Sequence, residues 1–178
     1  MLEIKLINQT RRVQKYDTQS RITPRQREVL VTAANLGYNG FSRIHAKEVL
    51  EISPNTVNNH ITGTHERLGV CDTFSAVYRT LYNQILSLDE VCEQEKYCLI
   101  TNICDKLTSS EKKVLTELSI SALEIRHVGY LAIALSLSTS INAIKQHIHR
   151  IYKKTGVSNQ AQLAVLAYIH TQTNHRQT

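Results

Sequence analysis

The feature that most constrains this chain is that it repeats itself. Ile22-Thr23-Pro24-Arg25-Gln26-Arg27-Glu28-Val29-Leu30 aligns with Leu107-Thr108-Ser109-Ser110-Glu111-Lys112-Lys113-Val114-Leu115, an offset of 85 residues. Leu50-Glu51-Ile52-Ser53 meets Leu135-Ser136-Leu137-Ser138 at the same offset. Val57-x-x-His60-Ile61 then meets Ile144-x-x-His147-Ile148, and Leu68-Gly69-Val70 meets Thr155-Gly156-Val157, now at an offset of 87. Two extra residues are therefore expected in the second copy between Ser138 and Ile144, at or near the start of its third helix. Four matches in one order describe a duplicated unit rather than chance. The boundaries that follow are an N-terminal arm 1–20, a first domain 21–86, a linker 87–105, a second domain 106–170 and a tail 171–178.

Each copy reads as four helices, so the expected fold class is all-α. Thr23 with Pro24 and Gln26, and Thr108 with Glu111, are helix starts in which the hydroxyl and the third-position side chain satisfy each other's backbone N–H. The first helices are expected to run to about Asn35 and Ala122. Second helices fit 45–50 and about 128–135. Third helices start at Ser53-Pro54 and at Ser138 or Ser140. Their apolar stripes are Val57, Ile61 and Leu68, and Ile144, Ile148 and Ile151. Gly69 and Gly156 stop them, because the left-handed conformation past a helix end is easiest for glycine. Fourth helices fit 73–86 and 159–170. Only a tight turn fits between the second and third helices, which is the helix-turn-helix pattern.

Charge is unevenly placed along this pattern. The chain carries +6 in all, with +2 in residues 21–86, −4 in 87–105 and +5 in 106–170. Two basic blocks flanking an acidic connector suit a polyanionic partner. Cys71, Cys92, Cys98 and Cys104 lack metal-ligand spacing and read as reduced thiols. His60 with His65, and His147 with His149, are not spaced to share one helical face, so no metal is expected. There is no nucleophile elbow, phosphate-binding glycine loop, HExxH or paired carboxylate pattern, and no catalytic residue or cofactor is expected. Without a signal-length or membrane-length apolar run, the expected location is the cytoplasm, at a bacterial nucleoid, with no membrane partner.

On these residues the chain resembles the LuxR/GerE helix-turn-helix family. The first copy carries Thr23-Pro24-Arg25-Gln26-Arg27-Glu28-Val29-Leu30, Leu50-Glu51-Ile52-Ser53, Thr56-Val57-x-x-His60 and Leu68-Gly69-Val70. The second carries Leu131-Ala132-x-x-Leu135-x-Leu137-Ser138, Ile144-x-x-His147 and Gly156-Val157-Ser158-Asn159. The likeness covers residues 21–86 and 106–170, about three quarters of the chain. Both copies depart from the family by about four extra residues between the first and third helices. The 20-residue arm is too short for the receiver or ligand-binding domain that usually controls the family.

The resemblance implies two tandem four-helix helix-turn-helix domains, joined by a helical linker, that bind double-stranded DNA and regulate transcription. The third helix of each would read the major groove. Asn55, Asn58, Asn59 and Thr62 lie opposite the apolar stripe of the first copy. Asn bonds adenine through two hydrogen bonds, and Thr meets a thymine methyl. Their counterparts in the second copy are Lys145, Gln146 and His149. Thr56, Lys47, Arg25, Arg27, Arg150 and Lys153 are the phosphate-contact candidates. The family pairs through its fourth helix, which nominates Tyr78, Leu81, Tyr82, Leu163, Leu166 and Ala167. Those residues serve either a homodimer or a pseudo-dimer formed inside one chain. The alternative function is a protein-interaction module that sequesters a LuxR-type regulator or contacts RNA polymerase without reading bases.

Overall fold

Two reciprocal hydrogen bonds start the first long helix. In a computed structural model that describes residues 22–35, 48–92, 102–124 and 129–175, Thr23 Oγ1 accepts from Gln26 N (3.2 Å) and Gln26 Oε1 accepts from Thr23 N (2.8 Å). They open α1, Pro24–Ala34. Thr108 and Glu111 repeat the arrangement, with Thr108 N donating to Glu111 Oε2 (2.8 Å) and Glu111 N to Thr108 Oγ1 (3.3 Å). They open the equivalent helix of the second copy, Ser109–Glu124. In chain order the helices are α1 (Pro24–Ala34), α2 (Pro54–Leu68), α3 (Thr73–Tyr82), α4 (Leu88–Val91), α5 (Ser109–Glu124), α6 (Tyr130–Ser136), α7 (Ile141–Thr155) and α8 (Gln160–His175). Residues 48–50 and 102–105 are helical as well, and no strand occurs among the described residues. The fold is all-α, as expected.

The helices α2 and α7 are the third helices of the two copies, and they match closely. Each is 15 residues long. Ser53 Oγ caps α2 by accepting from Thr56 N, and Ser140 Oγ caps α7 by accepting from Ala143 N, both at 3.1 Å. Gly69 (φ 63°) and Gly156 (φ 74°) end them in the left-handed region. The turns ahead of them also match. Glu51 (φ 53°) and Ser138 (φ 50°) are both left-handed, and each stands two residues before the capping serine. A left-handed residue with a Cβ costs about 1 kcal/mol or more, so a shared one marks a shared backbone shape.

This matching corrects the sequence register. From the turn onward the offset is 87, so Leu50 is the counterpart of Leu137 and not of Leu135. Leu50 is buried, Leu137 packs against the core, and Leu135 is 71 % exposed. Leu131, aligned with the family's apolar position, is 59 % exposed, whereas Ile133 and Ala134 are buried. The two extra residues of the second copy therefore precede Ser138 and leave the start of α7 undisturbed. The misalignment has a simple source. Leu-x-x-Ser occurs twice, two residues apart, at Leu135 and Leu137, and only burial separates the two.

Two helix ends also move. The helix α3 stops at Tyr82, four residues early, because Gln84 (φ 58°) turns the chain and Ile85 N and Leu86 N both donate back to Thr80 O (2.8 and 3.1 Å). That turn buries Leu86. The helix α8 continues to His175, through most of the expected tail. The described ends of the acidic connector are packed rather than held away from the body, since Val91, Cys92 and Cys104 all join the main core.

One hydrophobic cluster runs through both copies. The two fourth helices, α3 and α8, lie against each other; α3 also packs on α5, and α8 on α1. Each copy therefore lends its fourth helix to the first helix of the other, the reciprocal pattern of an isologous interface. Hydrogen bonds cross the junction in both directions. Gln162 Nε2 on α8 donates to Asn35 O at the end of α1 (3.0 Å), and Arg79 Nε on α3 donates to Ala122 O near the end of α5 (2.6 Å). The Tyr78 and Thr171 hydroxyls meet at 3.1 Å, and the Tyr78 ring stands edge-on to Tyr168 at 6.0 Å. A smaller cluster of Val29, Leu50 and Val57, with Ile52 and Ile61 against it, seats α2 on α1.

Candidate nucleic-acid interface

The burial of its apolar stripe decides which face each third helix turns outward. On α2, Val57 and Leu68 are buried and Ile61 half-buried. Asn55, Asn59 and Thr62 are exposed in consequence, and Asn58 is half-buried at the edge. On α7, Ile144, Ile148 and Ile151 are buried, and Lys145, Gln146, His149, Arg150 and Lys153 are exposed. At the shared offset Asn58 corresponds to Lys145, Asn59 to Gln146 and Thr62 to His149. Each set forms one solvent-facing strip along the N-terminal half of its helix. Short amides and hydroxyls at such positions can form paired hydrogen bonds to base edges, while the Lys and Arg side chains suit guanine or phosphate oxygens.

The phosphate-contact candidates divide. Thr56 lies half-buried with its hydroxyl 2.9 Å from Ser53 Oγ, beside the cap of α2. The Arg25 guanidinium bonds Glu28 and the carbonyl of Leu50, at the end of the short helix before the turn. It therefore ties that turn to α1. Arg27 bonds Glu90 Oε1 through Nε (2.9 Å) and Nη2 (2.5 Å). Arg27 first, and then the backbone N–H of Ser87, hold the Glu90 carboxyl below its usual value. Both arginines thus have internal partners that brace the first copy, a role the sequence reading did not assign them. Arg150 and Lys153 project from α7 into solvent. Lys47 lies outside the described residues, as do Arg43 and Cys98.

The six fourth-helix residues lie at the junction just described. Tyr78, Leu81, Leu163, Leu166 and Ala167 are all buried within the chain, and Tyr82 is partly exposed at 37 %. The helices α3 and α8 pack on each other within the chain.

Two side chains outside the candidate set anchor the ends of α2 and α7 to the body. Lys154, near the end of α7, donates to Glu111 Oε2 at 2.7 Å. The Glu111 side chain is 2 % exposed. Burial opposes its ionisation, but Lys154 and the Thr108 N–H outweigh burial and hold the carboxyl below its usual value. Arg79 is buried and also donates to Leu68 O (3.3 Å), joining the end of α2 to the end of α5. Position 111 was visible in sequence as a capping residue, but its partner 43 residues away carried no local signal. His65, on the inner side of α2, has its pKa lowered by burial, with Asp72 opposing, and so is neutral at pH 7.

Among the described residues no three His, Cys, Asp or Glu side chains converge to hold a metal ion, and no helix is long and apolar enough to cross a membrane. No family model matches this chain, and no curated protein or solved structure matches it.

Proposed function

We propose that this chain is a sequence-specific transcriptional regulator that binds double-stranded DNA through two tandem LuxR/GerE-like helix-turn-helix repeats, paired inside one chain as a pseudo-dimer. One observation carries the reading. Two third helices of equal length, with equal caps and turns, each bury an apolar stripe and turn a strip of base-bonding side chains to solvent. The corrected register supports the resemblance. Ile133-Ala134-x-x-Leu137 now stands at the family's Ile-Ala-x-x-Leu, and its apolar side chains point into the core.

In this reading α2 and α7 each enter a major groove. Asn58 and Asn59 bond adenine, Thr62 touches a thymine methyl, and Lys145 and Gln146 read the second half-site. Arg150 and Lys153 bind phosphates and give the affinity its salt dependence. The reciprocal packing of α3 and α8 sets the separation of the two helices, and so fixes the half-site spacing in the manner of a two-fold dimer.

The test is selection from a random duplex pool by the wild type and by N58A/N59A. An enriched two-part motif is expected, and the double variant loses preference in one part by at least about 10-fold, as the loss of bidentate base contacts requires. Absence of enrichment would sink the reading. It would favour a protein-docking module, for which the exposed Leu131 and Leu135 of α6 offer an apolar ridge one helical turn apart.

A further inference from the structure

The two third helices share a backbone but not a surface. At five matched outward positions α2 carries Asn58, Asn59, Thr62, Gly63 and Glu66, and α7 carries Lys145, Gln146, His149, Arg150 and Lys153. Over its whole length α7 holds four Lys or Arg residues and no acidic residue. The helix α2 holds one Arg and one Glu. Lys154, also exposed, is paired with Glu111, and Lys145, Arg150 and Lys153 are the other exposed cations of α7. Part of the contrast is built into the packing. A Cβ at Gly63, the counterpart of Arg150, would stand 2.9 Å from Gln26 Nε2, and the same Gln26 side chain holds the cap of α1.

A homodimer shows the same side chains to both halves of its site. One chain with two unlike helices does not. We infer that the chain binds an asymmetric two-part duplex site as a monomer, with the two halves recognised by different chemistry; this rests on the DNA-binding reading above. The α7 half supplies most of the phosphate contact, because each neutralised phosphate releases condensed counterions and α2 has no comparable set of cations. The α2 half supplies base discrimination, because paired Asn side chains match the donor–acceptor edge of adenine and contribute little non-specific attraction.

The experiment uses the full chain and synthetic duplexes. Site selection, the number of chains per duplex, and the slope of log affinity against log salt are measured for four proteins: the wild type, K145A/R150A/K153A, N58A/N59A, and N58K/N59Q/T62H. All the altered residues are exposed except the half-buried Asn58, and circular dichroism and melting establish that each variant is folded. The wild type is expected to bind as one chain to a motif with two unlike halves. The triple alanine variant flattens the salt slope by about 2–3, at about 0.9 per phosphate. N58A/N59A leaves the slope within about 0.5 and erases the preference of one half by at least about 10-fold. The variant that gives α2 the residues of α7 makes the two halves alike. A palindromic motif bound by two chains, or equal flattening of the slope by the two alanine variants, overturns this inference and leaves the DNA reading standing. A wild type that binds no duplex at any salt overturns both.

Discussion

Replacing Leu166 by Ala is expected to destabilise both repeats together, not only the one that contains it. Leu166 is 1 % exposed on α8, inside the cluster that α1, α3, α5 and α8 share. Removing a buried Leu side chain loses its transfer free energy and leaves a cavity, at a cost of about 2–5 kcal/mol. In a chain of this size that lowers the melting temperature by on the order of 5–15 °C. The distinctive part of the expectation is where protection is lost. α8 packs on α1 as well as on its own α5, so amide exchange should accelerate in α1 and α2 as much as in α5 and α7. A variant that loosens α5–α8 and leaves α1 and α2 at wild-type protection would show that the copies are independent domains. Leu135→Ala is the control. At 71 % exposure it should shift stability by less than about 0.5 kcal/mol. A large cost there would restore the rejected register, in which Leu135 is the core residue.

Lys154→Met is the second change with a large expected effect. It leaves the Glu111 carboxylate buried without its cation, a loss on the order of 1–2 kcal/mol at neutral pH, less than for a fully buried pair because Lys154 is itself exposed. The dependence on pH should also weaken. In the wild type the Glu111 pKa is lowered, so its contribution is fully present above the ordinary carboxylate range and is lost as the pH falls through the lowered value. Without Lys154 the carboxyl moves up from its wild-type value, and only the Thr108 bonds are left to oppose burial. The variant therefore loses less stability from this group than the wild type does as the pH falls. Glu111→Gln in the same chain removes the stranded charge and should recover most of the loss, to within about 1 kcal/mol of the wild type. The first copy already uses this solution, since the equivalent Gln26 is buried and its amide oxygen caps Thr23 N. Denaturant unfolding at several pH values checks both points. Parallel pH profiles for wild type and Lys154→Met would contradict the account.

The residues legible in the sequence share one property: their partners lie within a few positions along the chain. Thr23 with Gln26, Thr108 with Glu111, the serine caps of α2 and α7, and the closing glycines are satisfied by backbone groups three or four residues away. Such pairs form wherever the local chain becomes helical. The outward strips of α2 and α7 were legible for a similar reason, because a 3.6-residue period places them opposite the apolar stripe whatever that stripe packs against. The second helix of the second copy was misread because Leu131, Ile133, Ala134, Leu135 and Leu137 are all apolar. In so short a segment nothing local says which of them faces inward.

By itself, then, the sequence determined the all-helical class, the caps that open α1, α2, α5 and α7, the glycines that close α2 and α7, and the side chains that α2 and α7 turn outward, because each follows from contacts between near neighbours. Tertiary structure alone decided the rest. It chose Leu137 over Leu135 by burial. It folded the two fourth helices against each other within one chain and so turned candidate dimer residues into core. It gave Arg25, Arg27 and Glu111 partners that lie 25, 63 and 43 residues away. Those choices depend on which surfaces meet when the two halves of the chain share one core. No periodicity in a single chain encodes that meeting, because it is settled by the burial gained and the polar groups satisfied over the whole body at once.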